Sequence, residues 1–374
     1  MTVSAEPGGT VPAHRPPADQ ALRVQAEAMP QGRVLVSCPA PYGKGGLGRH
    51  LQEIMQALER RGEPGTCICN STPEPEGTRR IPGAADLLTP LVRFSPSLRM
   101  WTGSVRFDQR AARELSPADH LIAFNGTALA QIRAAREMGM SSVSLMSANS
   151  HMRRVIRQHE LAHKQYPIER PWSARLLRRN VAEYAQADRI YVASRYTWES
   201  FTDEGFADER LSFFPLTAHP RYAEAGPREQ PGTFDVVYVG SLIVHKGVPL
   251  LIDAFRRLPH ADMRLVLVGG WKTPGMRRFI ERARAEDPRI TVSPGDPLPH
   301  LLRAGVCAHP SYEDGFAYAP AEALACGVPV IVSEDTGMKD LVERGRTGVV
   351  LATGDAGALS EALEASYRGE LLGG

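Results

Sequence analysis

Short apolar runs alternate along this chain with stretches whose apolar residues recur at helical spacing, and the whole pattern runs twice. "GRVLVSCPAP" (32–41) reads as a buried strand entering a loop. "GGLGRHLQEIMQALERRG" then places Leu51, Ile54, Met55 and Leu58 on one helical face and stops at Gly62. "TCICN", "DHLIAFN" (119–125), "SSVSLMSA" (141–148) and "ADRIYVAS" (187–194) continue the strands, with helices between. Strands that alternate with helices predict a parallel sheet covered on both faces, because each crossover returns the chain over a face of the sheet. A polar, Pro/Gly-rich stretch at 217–234 reads as a linker, after which "DVVYVGS", "MRLVLVGG", "ITVSPG", "VCAHPS" and "VPVIVS" restart the pattern. The expected fold class is therefore α/β, with two doubly wound Rossmann-like domains at 32–216 and 235–374 facing an interdomain cleft. Residues 1–31, rich in Pro, Ala, Gly and Glu, are expected as a disordered tail, with a short helix around Ala21–Met29 as the alternative.

A chain of 374 residues is long enough for two cores of this kind. No apolar run reaches the roughly eighteen residues a membrane span needs. The formal charge of +2 makes no case for nucleic acid as a partner. Five cysteines, odd in number and without metal-ligand spacing, read as buried thiols of a reducing compartment. The expected location is the cytoplasm, since the N-terminus lacks the basic start and apolar stretch of a secretory signal.

"GKGGLG" (43–48) matches the glycine spacing of a dinucleotide fingerprint and opens a helix, so hydride transfer is a rival reading. Two details weigh against it. Residues Cys38 to Tyr42 intervene between the strand and the first glycine, where the fingerprint wants a tight turn, and the second strand ends at Asn70 instead of a carboxylate. A phosphate-facing loop with the amides of Gly45 and Gly46 as donors fits better; a helix entry that needs slim residues for packing is the plain alternative.

The second half carries the stronger signal. In "HPSYEDGFAYAPAEALACGVPVIV" (309–332), Asp314 and Glu322 flank a glycine- and alanine-rich turn, with a helix expected from Pro320. Such a turn lets backbone N–H groups approach a ligand, and a helix N-terminus favours an anion there. Lys246, in "VVYVGSLIVHKGVPLLIDAF" (236–255), follows a strand at the mouth of the sheet, where α/β folds bind ligands.

Together with "LVLVGG" and the Pro-Gly at 294–295, these elements resemble the nucleotide-sugar domain of GT-B glycosyltransferases of the retaining family 4, group 1 type. The resemblance covers most of residues 33–363 and is most specific over 236–332. It implies a metal-independent hexosyltransferase that moves a sugar from a nucleotide-diphosphate donor, a UDP-sugar foremost, to a hydroxyl of a small-molecule, lipid or glycan acceptor. No cofactor or metal is implied beyond the donor itself. Lys246 would meet the diphosphate, the amides of Gly315, Phe316, Ala317 and Tyr318 would cradle it, Asp314 would orient the sugar, and Glu322 would hold the ribose.

The chain departs from the family in places. Asp314 replaces a usual Glu, Ala317 and Ala319 replace a Gly and a Pro, and Ser241 stands where a phosphate-binding Arg is expected. That diphosphate contact would be lost or supplied elsewhere, by His245 or Arg49, with Ser241 kept among the donor-binding residues. On the acceptor side, His151 in "SANSHMRR" is the candidate catalytic His, with Ser147 and Asn149 as alternatives for its place. The stretch 151–179 holds seven Arg and one Lys against two Glu, which fits either an anionic acceptor or membrane surface or a solvated helical face. Rival functions on the same architecture are a nucleotide-sugar epimerase, a phosphorylase, and a catalytically silent nucleotide-sugar-binding subunit.

Overall fold

The computed structural model describes residues 18–63, 65–70, 78–80, 96–170, 174–229 and 232–372. It divides into two compact units, each built on its own sheet. The first sheet contains β1 (Val34–Ser37), β2 (Thr66–Cys69), β3 (Thr78–Arg80), β4 (His120–Phe124), β5 (Ser142–Ser147), β6 (Arg189–Val192) and β7 (Leu211–Phe213), in the order β3-β2-β1-β4-β5-β6-β7. Every pairing is parallel. Its central strands are buried on both faces, as their unbroken apolar runs require: Leu35, Val36, Leu121 and Ile122 are all at 0% exposure. Around them lie α1 (Ala18–Ala28), α2 (Gly45–Arg61), α3 (Pro96–Glu114), α4 (Leu129–Glu137), α6 (Ala174–Gln186) and α7 (Arg195–Thr202), while α5 (Met152–Gln165) has only its residues up to Arg154 in this unit.

The second sheet has β8 (Phe234–Val239), β9 (Met263–Val268), β10 (Ile290–Ser293), β11 (Ala304–His309), β12 (Val330–Ser333) and β13 (Gly348–Leu351), in the order β10-β9-β8-β11-β12-β13 and again parallel. Its helices are α8 (Pro220–Ala223), α9 (Val248–Phe255), α10 (Pro274–Glu286), α11 (Leu298–Arg303), α12 (Tyr318–Ala325) and α13 (Ala356–Tyr367). The core gathers Val236, Leu265, Val306 and Ile331 from the sheet with Leu251, Phe255 and Leu363 from the helices.

Two expectations need correction. The stretch expected as a tail is helical from Ala18 to Ala28. Ala21 and Met29 are buried, and the fully buried Gln25 donates to Glu53 Oε2 and to the Pro215 carbonyl, both at 2.7 Å. The Pro-rich residues ahead of it diluted that signal; residues 1–17 lie outside the described part. The second correction concerns Val155–Pro171, expected in the first domain but packed within the second unit. Polar anchors hold it there: Gln165 donates to the Gly354 carbonyl at 3.1 Å, Tyr166 donates to Asp253 at 2.9 Å, and Glu169 accepts from the Val244 amide at 2.8 Å. Ala162 lies in that unit's core at 0% exposure.

Candidate functional site

In the second unit, the ends of β8 and β11 build one cluster. Beyond β8 the chain makes a single 3-10 turn, Val244–Lys246, and reverses through Gly247 at φ +74°. A Cβ at Gly247 would stand 1.9 Å from the Pro310 carbonyl oxygen, so only glycine lets this turn lie against the end of β11. The Tyr312 amide donates to the His245 carbonyl at 2.9 Å and locks the two loops together.

That approach brings Lys246 to Asp314. Lys246 Nζ donates to Asp314 Oδ2 at 2.7 Å and to the Glu313 carbonyl at 3.0 Å. His309 Nε2 lies 3.2 Å from the same Oδ2, and Oδ1 accepts from the Ala317 amide at 3.1 Å. Burial alone would raise the Asp314 carboxyl. The Lys246 ammonium and the His309 hydrogen bond outweigh it and hold the group well below the usual carboxylate range. His309 went unassigned in the sequence reading, although it stands in the same motif; only the fold shows that a side chain five residues upstream turns back onto the carboxylate.

Helix α12 starts at Tyr318, two residues before the expected Pro320. Its N-cap is Ala317 at φ +62°, the one described residue other than glycine with a positive φ. This is where the resemblance would have a Gly, and the left-handed backbone explains why. Gly315 and Phe316 are buried, and the Phe316 and Tyr318 rings meet edge-on at 5.1 Å. Glu322, on the second turn, is 3% exposed. Burial, followed by this carboxylate, pushes the neighbouring Cys307 thiol up to about 12.

Ser241 sits half-buried just past β8, and its carbonyl accepts from Tyr238 Oη at 2.9 Å. His245 does not replace the missing Arg as a cation. Its ring stacks on His159 at 3.8 Å, and burial, then His159 and Lys246, lowers its pKa well below the ordinary histidine value, so it is neutral.

In the first unit, Gly45 and Gly46 form the exposed first turn of α2. Gly48 is the packing glycine of the loop, because a Cβ there would meet the Pro41 carbonyl oxygen at 1.9 Å. Beside this turn, past the C-terminal ends of β1, β4 and β5, lies a cavity of about 390 Å³. Asn149 lines it. Ser147 does not: it is at 0% exposure and donates to the Asn149 carbonyl at 2.8 Å. His151 does not line it either, and its catalytic assignment is corrected here. The side chain is 2% exposed, wedged among Tyr184, Phe201 and Phe206, and its Nδ1 faces the Arg153 amide at 3.3 Å. It packs the core and opens α5. Of the basic stretch, Arg153, Arg154 and Arg179 each pair with a carboxylate of the chain. Four lining residues, Met100, Gly103, Ser104 and Phe107, come from α3, a helix that the sequence reading missed.

Comparison with known proteins gives this geometry a family. The model of "Glycosyl transferases group 1" matches residues 224–370, the stretch that carries Lys246, Asp314 and Glu322. Over these residues the chain is similar to the group 1 glycosyltransferases. A D-inositol 3-phosphate glycosyltransferase of Pseudarthrobacter chlorophenolicus is 31% identical over 148 residues, 37% of this chain. The match spans 35% of that relative's length. Over about nine-tenths of the chain the fold is that of GT-B structures. Sucrose-phosphate synthase from Thermosynechococcus elongatus has a TM-score of 0.66 at 20% identity, covering 91% of this chain and 92% of its own. Anabaena HepE in complex with UDP-glucose scores 0.67 at 16% identity, with coverage of 91% and 92%.

Proposed function

We propose that this protein is a retaining glycosyltransferase that moves a hexose from a nucleotide-diphosphate donor, a UDP-sugar foremost, to an acceptor hydroxyl. The observation that carries the reading is the Lys246–Asp314 cluster beside the N-terminus of α12. A lysine ammonium has three donors. Two are spent on Asp314 and the Glu313 carbonyl, and the third is available to a diphosphate oxygen. In the reaction, the bond from the anomeric carbon to the diphosphate oxygen breaks as the bond to the acceptor oxygen forms. The leaving diphosphate keeps the electron pair and takes up the acceptor's proton. Lys246 and the amides of Gly315, Phe316 and Tyr318 stabilise the charge that develops on it, the Ala317 amide being committed to Asp314. Asp314 Oδ1 carries one bond, from the Ala317 amide, which leaves it capacity to orient a sugar hydroxyl. Glu322 is assigned to the ribose.

Supporting the UDP-sugar is the likeness to HepE, whose structure holds UDP-glucose. Independence from metal rests on the sequence, which has no Asp-x-Asp pattern to clamp an ion on the diphosphate. We place the protein in the cytoplasm, since all five cysteines are free and four are buried. No described helix is long and apolar enough to cross a membrane. A silent nucleotide-sugar-binding subunit is the second reading; it draws on Ser241 standing where the phosphate-binding Arg is expected.

Turnover tests both. The purified protein, offered UDP-glucose and a hydroxyl acceptor in excess EDTA, should release UDP and form an α-linked product by NMR of the anomeric proton. Lys246→Ala should bind UDP roughly tenfold or more weakly by calorimetry, as the loss of a charge-assisted contact predicts. UDP binding without turnover would favour the silent subunit. A β-linked product, or activity restored only by Mg²⁺ or Mn²⁺, would overturn the mechanism.

A further inference from the structure

The cavity of the first unit has a chemical character of its own. Its walls are mainly apolar, with Leu47, Met100, Phe107, Phe124, Met152 and Leu176 as the bulky members, and its polar lining residues, Asn70, Ser104, Asn125, Thr127, Asn149 and Asn180, are all uncharged. Among the described residues no charged side chain lines it. Its volume, about 390 Å³, falls within the roughly 300–1,000 Å³ of pockets that enclose small organic ligands. Its place beyond the carboxyl ends of adjacent parallel strands is where open α/β sheets bind ligands.

Arg179, next to the lining residue Asn180 in the chain, is committed elsewhere. Arg179 donates from Nε to the Gly126 carbonyl at 2.7 Å, lies 3.2 Å from Glu183 Oε1, and pairs through Nη2 with the buried Asp108. Glu183 in turn accepts from the Ala128 amide at 2.9 Å, and Asp108 accepts from Ala130 and Gln131 at 2.8 and 3.0 Å. The guanidinium thus holds the 126–131 turn from behind, with both of its carboxylates committed as well.

The polar edge of the cavity can be read atom by atom. Asn180 Nδ2 donates to the Leu176 carbonyl at 2.9 Å, a partner that only accepts, so Asn180 must present its oxygen to Asn125. Asn125 Nδ2 therefore faces it, donating to Asn180 Oδ1 at 2.7 Å and to Tyr184 Oη at 3.1 Å. Both amide hydrogens of Asn125 are used, and its Oδ1 takes no partner among the described residues. Asn125 offers the cavity an acceptor that suits a hydroxyl donor and repels an anion.

Resting on the glycosyltransferase reading, we propose that the acceptor is an uncharged molecule with an apolar body, hydroxyl-bonded to Asn125, and not a phosphorylated compound. A phosphate placed here would lose its water and gain no cation among the described lining residues, a cost that a buried anion recovers only through pairing. The named substrate of the Pseudarthrobacter relative, D-inositol 3-phosphate, is such an anion.

Calorimetry on the full chain decides this, with 4-nitrophenyl and hexyl β-D-glucoside as neutral probes and D-inositol 3-phosphate as the anionic one. Gly103 lines the cavity from α3, and a Cβ there meets nothing within 4 Å. Gly103→Leu should therefore fold normally while filling the space. At least one neutral glucoside should bind the parent, with affinity at least tenfold lower in Gly103→Leu and in Ser104→Arg, while D-inositol 3-phosphate shows no heat. UDP affinity should stay within about twofold in both variants. Binding of D-inositol 3-phosphate by the parent, failure of both glucosides to bind, or glucoside affinity unmoved by Gly103→Leu would each overturn the proposal. Glucoside binding that follows the expected pattern in a protein that binds no UDP would uphold the cavity's neutrality and sink the transferase reading instead.

Discussion

Lys246 and Asp314 form an ion pair that each side chain exposes by 18%, and its partners make it more than a surface contact. Removing the ammonium leaves a largely buried carboxylate with only His309 and one amide; neutralising both members removes the conflict. In urea unfolding at pH 7, Lys246→Met should lose about 2–4 kcal/mol, discounted from the loss seen when a fully buried pair is broken. The double variant with Asp314→Asn should be more stable than Lys246→Met alone. Its coupling energy should be about 1–3 kcal/mol, in the range for residues in contact, and strictly additive losses would show that the pair is not formed in solution. The sign with pH follows from the lowered Asp314 pKa. The pair's stabilisation is present above about pH 4, where an unfolded Asp ionises, and fades as pH falls through the lower folded value. At this scale the site was legible where one residue type has one use: a lysine at a strand mouth and two acids around a bare turn. His151 misled because a histidine next to a strand looks the same whether it faces solvent or packs among aromatics. Its rings of contact come from Tyr184, Phe201 and Phe206, 33 to 55 residues away in sequence.

Helix α2 shows how one element carries both kinds of information. Its outer end was readable from glycine spacing, and its stop from Gly62, which adopts φ +80° and donates to the Glu59 carbonyl. The inner face holds something that spacing did not reveal: His50, 1% exposed, edge-on to Phe124 at 5.2 Å and stacked on Phe214 at 5.9 Å. Burial keeps this imidazole neutral and lowers its pKa to about 3. The unfolded chain takes up that proton near pH 6.5. Between pH 6.5 and 3 the unfolded state binds more protons, so the His50 contribution falls as pH falls, by about 1.4 kcal/mol per unit. His50→Leu should be free of this loss. The stability gap between variant and parent should shift by roughly 2 kcal/mol in the variant's favour from pH 7 to pH 5, and parallel urea curves at the two values would contradict the assignment. Helix α3 was not seen at all, because Gly103, Ser104 and charged residues interrupt its apolar stripe of Met100, Phe107 and Ala111. The short outer strands β3, β7 and β13 escaped for a related reason: three or four residues at a sheet's rim carry too little pattern to mark them.

At the scale of the molecule, the alternation of strands and helices predicted two parallel sheets, and the described residues form two. What the alternation hid is that the second unit is not contiguous. Helical periodicity records that α5 is amphipathic but not which core its apolar face meets, so residues 155–171 read as part of the first domain. Their anchors say otherwise. Glu169 accepts from the amide of Val244, in the same 3-10 turn as Lys246, and Tyr312, beside Asp314 in the chain, donates to Gln165 at 2.5 Å. A fragment cut at the expected linker, 217–374, keeps the whole second sheet but loses these partners, leaving the Val244 amide without its carboxylate and the core without Ala162. Such losses leave buried polar groups unpaired at about 1–3 kcal/mol each, enough to unsettle a domain of ordinary stability. The 217–374 fragment should therefore unfold at lower temperature and less cooperatively than the second unit does in the full chain. UDP binding should weaken with it, because the 3-10 turn that aims Lys246 has lost its support. Joining residues 152–171 to the fragment's N-terminus through a flexible linker should recover much of both. A bare fragment with the full chain's melting profile and UDP affinity would show that 155–171 only rests on the second unit, and does not help to build it.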